Sequence, residues 1–191
     1  MGKALIVMDY INEIVHQDGK LSGKGYSDFV TKHNTFSKVN SALTYAREHD
    51  MEVIHVRLGF SENYSNQPKD SPLFGKANEY KALQEGTWAT QFHESLEVMT
   101  GEKIIGKTRV SPFYETELQD YLVSNEISEV YLCGVSTDLV VQSAARDAHD
   151  RDYKVNILAD CCAAANLEDH QSSLSTLEKI ATVGNSDELL R

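Results

Sequence analysis

Short apolar runs alternate with amphipathic stretches along most of the chain. Residues 3–8 (KALIVM), 52–57 (EVIHVR), 102–106 (EKIIG), 129–133 (EVYLC) and 154–159 (KVNILA) are rich in Val, Ile and Leu. Runs this continuous, rather than strictly alternating, predict strands covered on both faces. A sixth, weaker run lies near Ile180–Val183. Between these runs, Phe29, Phe36, Val39, Leu43 and Ala46 recur at helical spacing over 28–49, which ends at the turn-like His49–Asp50. Leu118, Tyr121 and Leu122 repeat the pattern over 115–124.

After the fourth run, Ser136 or Thr137 is placed to cap a helix reaching about Arg151. Asn166, followed three residues later by Asp169, offers a further helix start. Strand–helix alternation of this kind predicts an α/β fold with a parallel sheet between helical layers. Ligands in such sheets bind beyond the carboxyl ends of the strands, where the strand order reverses. The segment 58–92 breaks the rhythm, gathering turn formers from Ser61 to Pro72 together with Trp88. A connection this long inside a compact domain reads as a lid or binding loop.

At 191 residues, with no internal repeat or linker, the chain reads as one domain over 1–191. The excess of 29 acidic over 18 basic residues gives a formal net charge of −11. That balance disfavours nucleic acid and anionic membrane as partners, because both are gripped through Lys and Arg. The N-terminal apolar run is too short for a signal-peptide core or a membrane span, so a soluble, cytoplasmic protein is expected. Three cysteines, two of them adjacent (Cys161 and Cys162), do not form a disulfide framework. No CxxC or HExxH spacing is present.

Asp9 directly follows the first strand, Lys107 follows the third, and Gly134 follows the fourth and leads into a helix. If strands one, three and four are neighbours, these positions converge on one crevice. A carboxylate, an ammonium and free backbone N–H groups together there would suit proton transfer and anion stabilisation. Each residue alone also fits a bland role as a turn, cap or solvated group.

Three blocks join them. ALIVMDYINE, IIGKTRVSPFYETEL and YLCGVSTDLVVQSAARDAHDRDYKV resemble, in order and spacing, the signature blocks of the isochorismatase-like hydrolases, and DCCAAA and NSDEL also fit. The resemblance covers nearly the whole chain. It implies a six-stranded parallel sheet flanked by helices, a three-layer sandwich, assembled as a homodimer or larger homo-oligomer. It also implies that Asp9 and Lys107 are catalytic and that the family's nucleophilic cysteine falls at Val140. Backbone amides of Val135, Ser136 and Leu139 would hold an anion, beside a non-proline cis peptide.

The chain departs from the pattern at that nucleophile, since valine offers no lone pair and the acyl-enzyme route is closed. The isochorismatase branch likewise lacks the cysteine. There the aspartate is thought to protonate a vinyl ether carbon before water completes the hydrolysis. Asp9 would serve in this way if burial raised its pKa, an effect that Lys107 opposes. Family members with a metal carry a D-x-H arrangement after strand two. Here that region reads IHVRLGFSENY, with His55 expected as a half-buried strand residue, so no metal and no cofactor are expected. For contacts to a small-molecule substrate the candidates are Arg57, Phe60, Trp88 and Phe113.

Three functions follow. The first is a hydrolase of a small amide or vinyl ether that works through Asp9 and Lys107 without a thiol. The second is a thiol-dependent amidase that recruits Cys161 or Cys162. The third is a small-molecule binding protein on the same scaffold that has lost turnover. A dinucleotide-binding dehydrogenase is set aside because no G-x-G-x-x-G follows the first strand.

Overall fold

The computed structural model describes residues 2–191. Strands β1 (Gly2–Met8), β2 (Glu52–Leu58), β3 (Lys103–Lys107), β4 (Ile127–Gly134), β5 (Lys154–Leu158) and β6 (Thr182–Gly184) form one sheet. Its order is β3-β2-β1-β4-β5-β6, and every neighbouring pair is parallel. Ala4–Met8 are buried without interruption, so both faces of the central strand are covered. This is the environment that the continuous apolar runs specify. The α/β sandwich with six parallel strands is therefore as the sequence predicts.

Among the described residues, eight α-helices flank the sheet or pack along its edges: α1 (Asn12–Val15), α2 (Tyr26–Lys32), α3 (Thr35–Glu48), α4 (Ala77–Tyr80), α5 (Leu118–Ser124), α6 (Gln142–His149), α7 (Leu167–Leu177) and α8 (Ser186–Leu189). None of the described helices is long and apolar enough to cross a membrane. The amphipathic stretch 28–49 falls into two helices because Asn34 adopts a left-handed backbone at φ 53°, which ends α2 and restarts the chain as α3. The side chain of Asn166 caps α7, accepting the Asp169 N–H at 2.9 Å, as expected.

The cap expected after β4 takes a different form. Residues Thr137–Val141 make a π-helical turn before α6, and neither the Ser136 nor the Thr137 side chain caps it. Thr137 Oγ1 instead bonds His170 Nδ1 at 2.8 Å, which ties this turn to α7. Single π turns occur often at functional sites.

The connection between β2 and β3 folds into a packed arm. Phe60 and Glu85 exchange backbone bonds with Leu83 and Phe60, the Tyr64 hydroxyl donates to the Ala82 carbonyl at 3.0 Å, and Gln67 donates to the Phe74 carbonyl at 2.8 Å. A buried carboxylate clamps the arm to α1: Glu13 accepts the Leu83 N–H at 3.0 Å and the Lys20 N–H at 3.3 Å. His55 is fully buried rather than half-buried, with Nε2 2.8 Å from Glu102, which also pairs with Arg47. This cluster secures the chain just before β3.

Strand order reverses between β1 and β4. The chain lays β2 and β3 on one side of β1, then crosses to place β4, β5 and β6 on the other. At that reversal Gly134 lies so close to β1 that an added Cβ would sit 2.7 Å from the Met8 carbonyl oxygen. Gly134→Ala is expected to push the two strand ends apart and cost about 1–3 kcal/mol of stability, as overpacking does. Denaturant unfolding checks this, and an unchanged midpoint would contradict the close approach.

Candidate active site

Asp9 is the first residue beyond β1. Its backbone is left-handed at φ 63°, and its N–H donates to the Val56 carbonyl at 2.9 Å. Asp tolerates this conformation better than most residues. The turn aims the side chain over the carboxyl edge of the sheet. Lys107 ends β3, paired in register with Leu58 of β2.

Strands one, three and four are not all neighbours: β4 lies beside β1, but β2 separates β1 from β3. Two strand spacings amount to about 10 Å. The long lysine side chain spans the gap, passing the end of β2, and places Nζ 2.7 Å from Asp9 Oδ2. The same ammonium donates to the carbonyls of Arg109 at 3.1 Å and Val110 at 3.0 Å, so each of its three N–H groups has an acceptor. Both side chains are almost fully buried.

Such a pair sets burial against attraction. Burial raises the pKa of the Asp9 carboxyl, and the charge and hydrogen bond of Lys107 and a backbone bond near Leu58 oppose this only in part. The outcome is a carboxyl held above its ordinary value of 3.8. Its second oxygen, Oδ1, is buried and has no hydrogen-bond partner. One oxygen is thus locked to the ammonium, and the other is free to carry a proton.

These groups lie in a cavity of about 500 Å³. Its inner end is made by Asp9, Lys107, Val135, Ser136 and Val140, and the arm covers it with Leu73, Phe74 and Leu83. The segment expected to close the site does so. Val140 is buried and lines the same cavity as the Asp9–Lys107 pair, with an aliphatic side chain.

The peptide bond between Val135 and Ser136 is cis. Of the three amides expected to hold an anion, the structure engages two elsewhere. The Val135 N–H donates to the Met8 carbonyl at 3.1 Å, and the Leu139 N–H donates to the Ser136 carbonyl at 3.3 Å. The Ser136 N–H makes no such bond, and Ser136 Oγ is buried without a partner. Beside the free Oδ1 of Asp9, the polar groups left for a ligand at this end are therefore those of Ser136.

Arg57, Phe60, Trp88 and Phe113 do not line the cavity. Arg57 is exposed and packs over the Phe92 ring, and Trp88 is half-exposed and packs edge-on to His16. Phe113 lies under Arg151. Phe60 comes nearest, fully buried behind Phe74 with ring centroids 5.6 Å apart. The cavity takes its aromatic and aliphatic wall instead from Leu73, Phe74, Tyr80 and Leu83 in the same long segment, and from Tyr26. No periodicity in that segment marks which side chains turn inward.

All three thiols are buried outside the cavity. Burial pushes each thiol pKa upward, that of Cys162 to about 12. Cys161 has Asp160 beside it rather than a cation. A reactive thiolate needs the opposite surroundings. Among the described residues, no cluster of three or more His, Cys, Asp or Glu side chains is arranged to hold a metal ion.

Comparison with known proteins places the chain in a family and agrees with the fold. Residues 3–188 match the model of the isochorismatase domain family. The isochorismatase family protein YecD of Escherichia coli O157:H7 is 32% identical over 165 residues, covering 83% of this chain and 84% of its own. Among solved structures, an isochorismatase-like hydrolase from Alkaliphilus metalliredigens superposes with a TM-score of 0.83 at 26% identity, over 98% of this chain and 97% of that one. The N-carbamoylsarcosine amidase from Thermoplasma acidophilum shares the fold, with a TM-score of 0.77 at 24% identity over 99% of each chain.

Removing the lysine strands a buried carboxylate, which typically costs about 3–5 kcal/mol. Lys107→Met is therefore expected to destabilise the protein in a pH-dependent way. A carboxyl whose folded pKa lies above its unfolded value binds more protons when folded, so stability falls as pH rises from the unfolded value through the folded one. The variant should lose more stability at pH 8 than at pH 5, read by denaturant unfolding at both. Equal losses would contradict the assigned direction of the Asp9 shift.

Proposed function

Since the chain belongs to the isochorismatase family, we propose that it hydrolyses a small molecule with Asp9 as the proton carrier, Lys107 as its charge partner and no thiol. The observation that carries this reading is the unpartnered Oδ1 of Asp9 at the closed end of the cavity. Val140 stands where the resemblance places a nucleophile, and all three thiols lie elsewhere.

A carboxyl with a raised pKa is suited to give a proton away. The bond that this chemistry favours is a vinyl ether. Asp9 donates its proton to the terminal alkene carbon, and the resulting cation is shared between the ether oxygen and its carbon. The Asp9 carboxylate left behind is held by the Lys107 ammonium at 2.7 Å. Water adds to the cationic carbon and returns a proton to Asp9. The hemiketal then splits into a ketone and an alcohol, for a net consumption of one water. The Ser136 N–H and hydroxyl are the donors available to an oxygen that gains negative charge. Amide hydrolysis fits less well here, since water would have to attack without a covalent step.

A panel of vinyl ethers and amides bearing a carboxylate is expected to yield a substrate among the vinyl ethers. Asp9→Asn should lower turnover about 10²–10⁴-fold, the usual contribution of a positioned acid. The rate should fall as pH rises through the raised pKa of Asp9, because the proton donor is then lost. Activity should survive iodoacetamide. Inactivation that tracks labelling of Cys161 or Cys162 would establish the thiol route instead, and a panel in which nothing exceeds the Asp9→Asn background would leave a binding protein.

A further inference from the structure

The charges around the cavity run against those of the molecule. The chain has 29 acidic and 18 basic residues, yet four lysines and a single carboxylate line this cavity. That group, Asp9, is paired with Lys107 at the inner end. The other three, Lys20, Lys24 and Lys76, are exposed residues around the mouth. The lysines that pair with carboxylates in this structure are Lys3, Lys103, Lys107 and Lys154, so among the described residues none of the mouth lysines is spent on an ion pair.

Two separate pieces of chain supply them to the same cavity. Lys20 and Lys24 flank the turn before α2, while Lys76 immediately precedes α4 in the arm. Lys20 also donates to the Lys81 carbonyl at 2.6 Å, which links the turn to the arm and leaves two of its N–H groups free. The wall between mouth and inner end is apolar, with Leu21, Leu73, Phe74 and Leu83 prominent. Three exposed ammonium groups with no carboxylate partner, lining an apolar cavity of a molecule with net charge −11, favour an anion there.

We propose that the mouth lysines are a carboxylate-binding subsite and that the substrate is an amphipathic acid. Its carboxylate is held by Lys24 and Lys76, its apolar body fills the cavity, and its cleavable bond reaches Asp9. The subsite rests on the cavity assigned above as the active site, but carboxylate binding there does not require turnover. Lysine ammoniums act as point charges and set no fixed bidentate geometry. Charge is therefore the recognised feature, and the apolar wall sets the length of the body.

Isothermal titration of the intact protein with 4-phenylbutanoate, its neutral amide and 4-phenylbutylammonium tests this. The carboxylate should bind about tenfold tighter than the amide, as two partly exposed charge contacts allow, and the ammonium should bind weakest. The advantage over the amide should shrink with added salt. It should vanish in Lys24→Gln/Lys76→Gln and in the charge reversal Lys76→Glu, each checked for native circular dichroism, and persist in Asp9→Asn. Equal affinity for carboxylate and amide, a preference that survives the double substitution, or no binding of any of the three probes would overturn the subsite. If Asp9→Asn retains the preference and no substrate is ever turned over, the subsite stands and only the hydrolytic reading fails.

Discussion

The site depends on one long side chain bridging two strand spacings. Parallel pairing puts Asp9 and Lys107 at the same edge of the sheet, but β2 separates their strands. Only a side chain with the reach of lysine closes that distance to 2.7 Å. Its remaining N–H groups are consumed by the Arg109 and Val110 carbonyls, so the ammonium is fixed from three directions. The carboxylate makes its ion pair through Oδ2 alone. That asymmetry leaves Oδ1 of Asp9 as the free group, and it follows from the ligation of the lysine rather than from any property of the aspartate.

Closure of the cavity has a comparable dependence on one buried charge. The arm between β2 and β3 has little regular structure, and Glu13 anchors it by accepting the backbone N–H of Leu83. Fastening the arm helps bury Asp9 and Lys107 at the inner end of the cavity. That burial is the largest influence on the pKa of Asp9, and it raises it. The clamp and the acid are therefore linked through solvation, although Glu13 is not among the residues that line the cavity.

Much of this was legible in the sequence, unevenly and for physical reasons. The six runs of apolar residues locate the strands because a sheet covered on both faces tolerates few polar side chains. Asp9 and Lys107 were marked by their place at strand ends, and the spacing of the three signature blocks joined them. Val140 could be recognised only by its position in such a block, since a valine in a helix carries no chemical signal. The break at Asn34 was not legible, because the apolar spacing continues across it. The cavity wall was also hidden. In the arm, Trp88 and Phe60 were conspicuous by residue type, but Leu73, Phe74 and Leu83 face the cavity, and only tertiary packing decides that direction. The cap expected from Ser136 or Thr137 was not found, because capping is only the common use of such residues and here the Ser136 hydroxyl caps nothing.

The central claim is that burial outweighs the lysine and holds a proton on Asp9 beyond the range of an ordinary carboxyl. The most direct measurement is a carbon-13 NMR titration of the Asp9 carboxyl carbon in the native protein. The account predicts a midpoint above 3.8, moving higher still when Lys107 is replaced by methionine. A midpoint at or below that value in the native protein would mean that the ion pair prevails, and Asp9 would then have no proton to give.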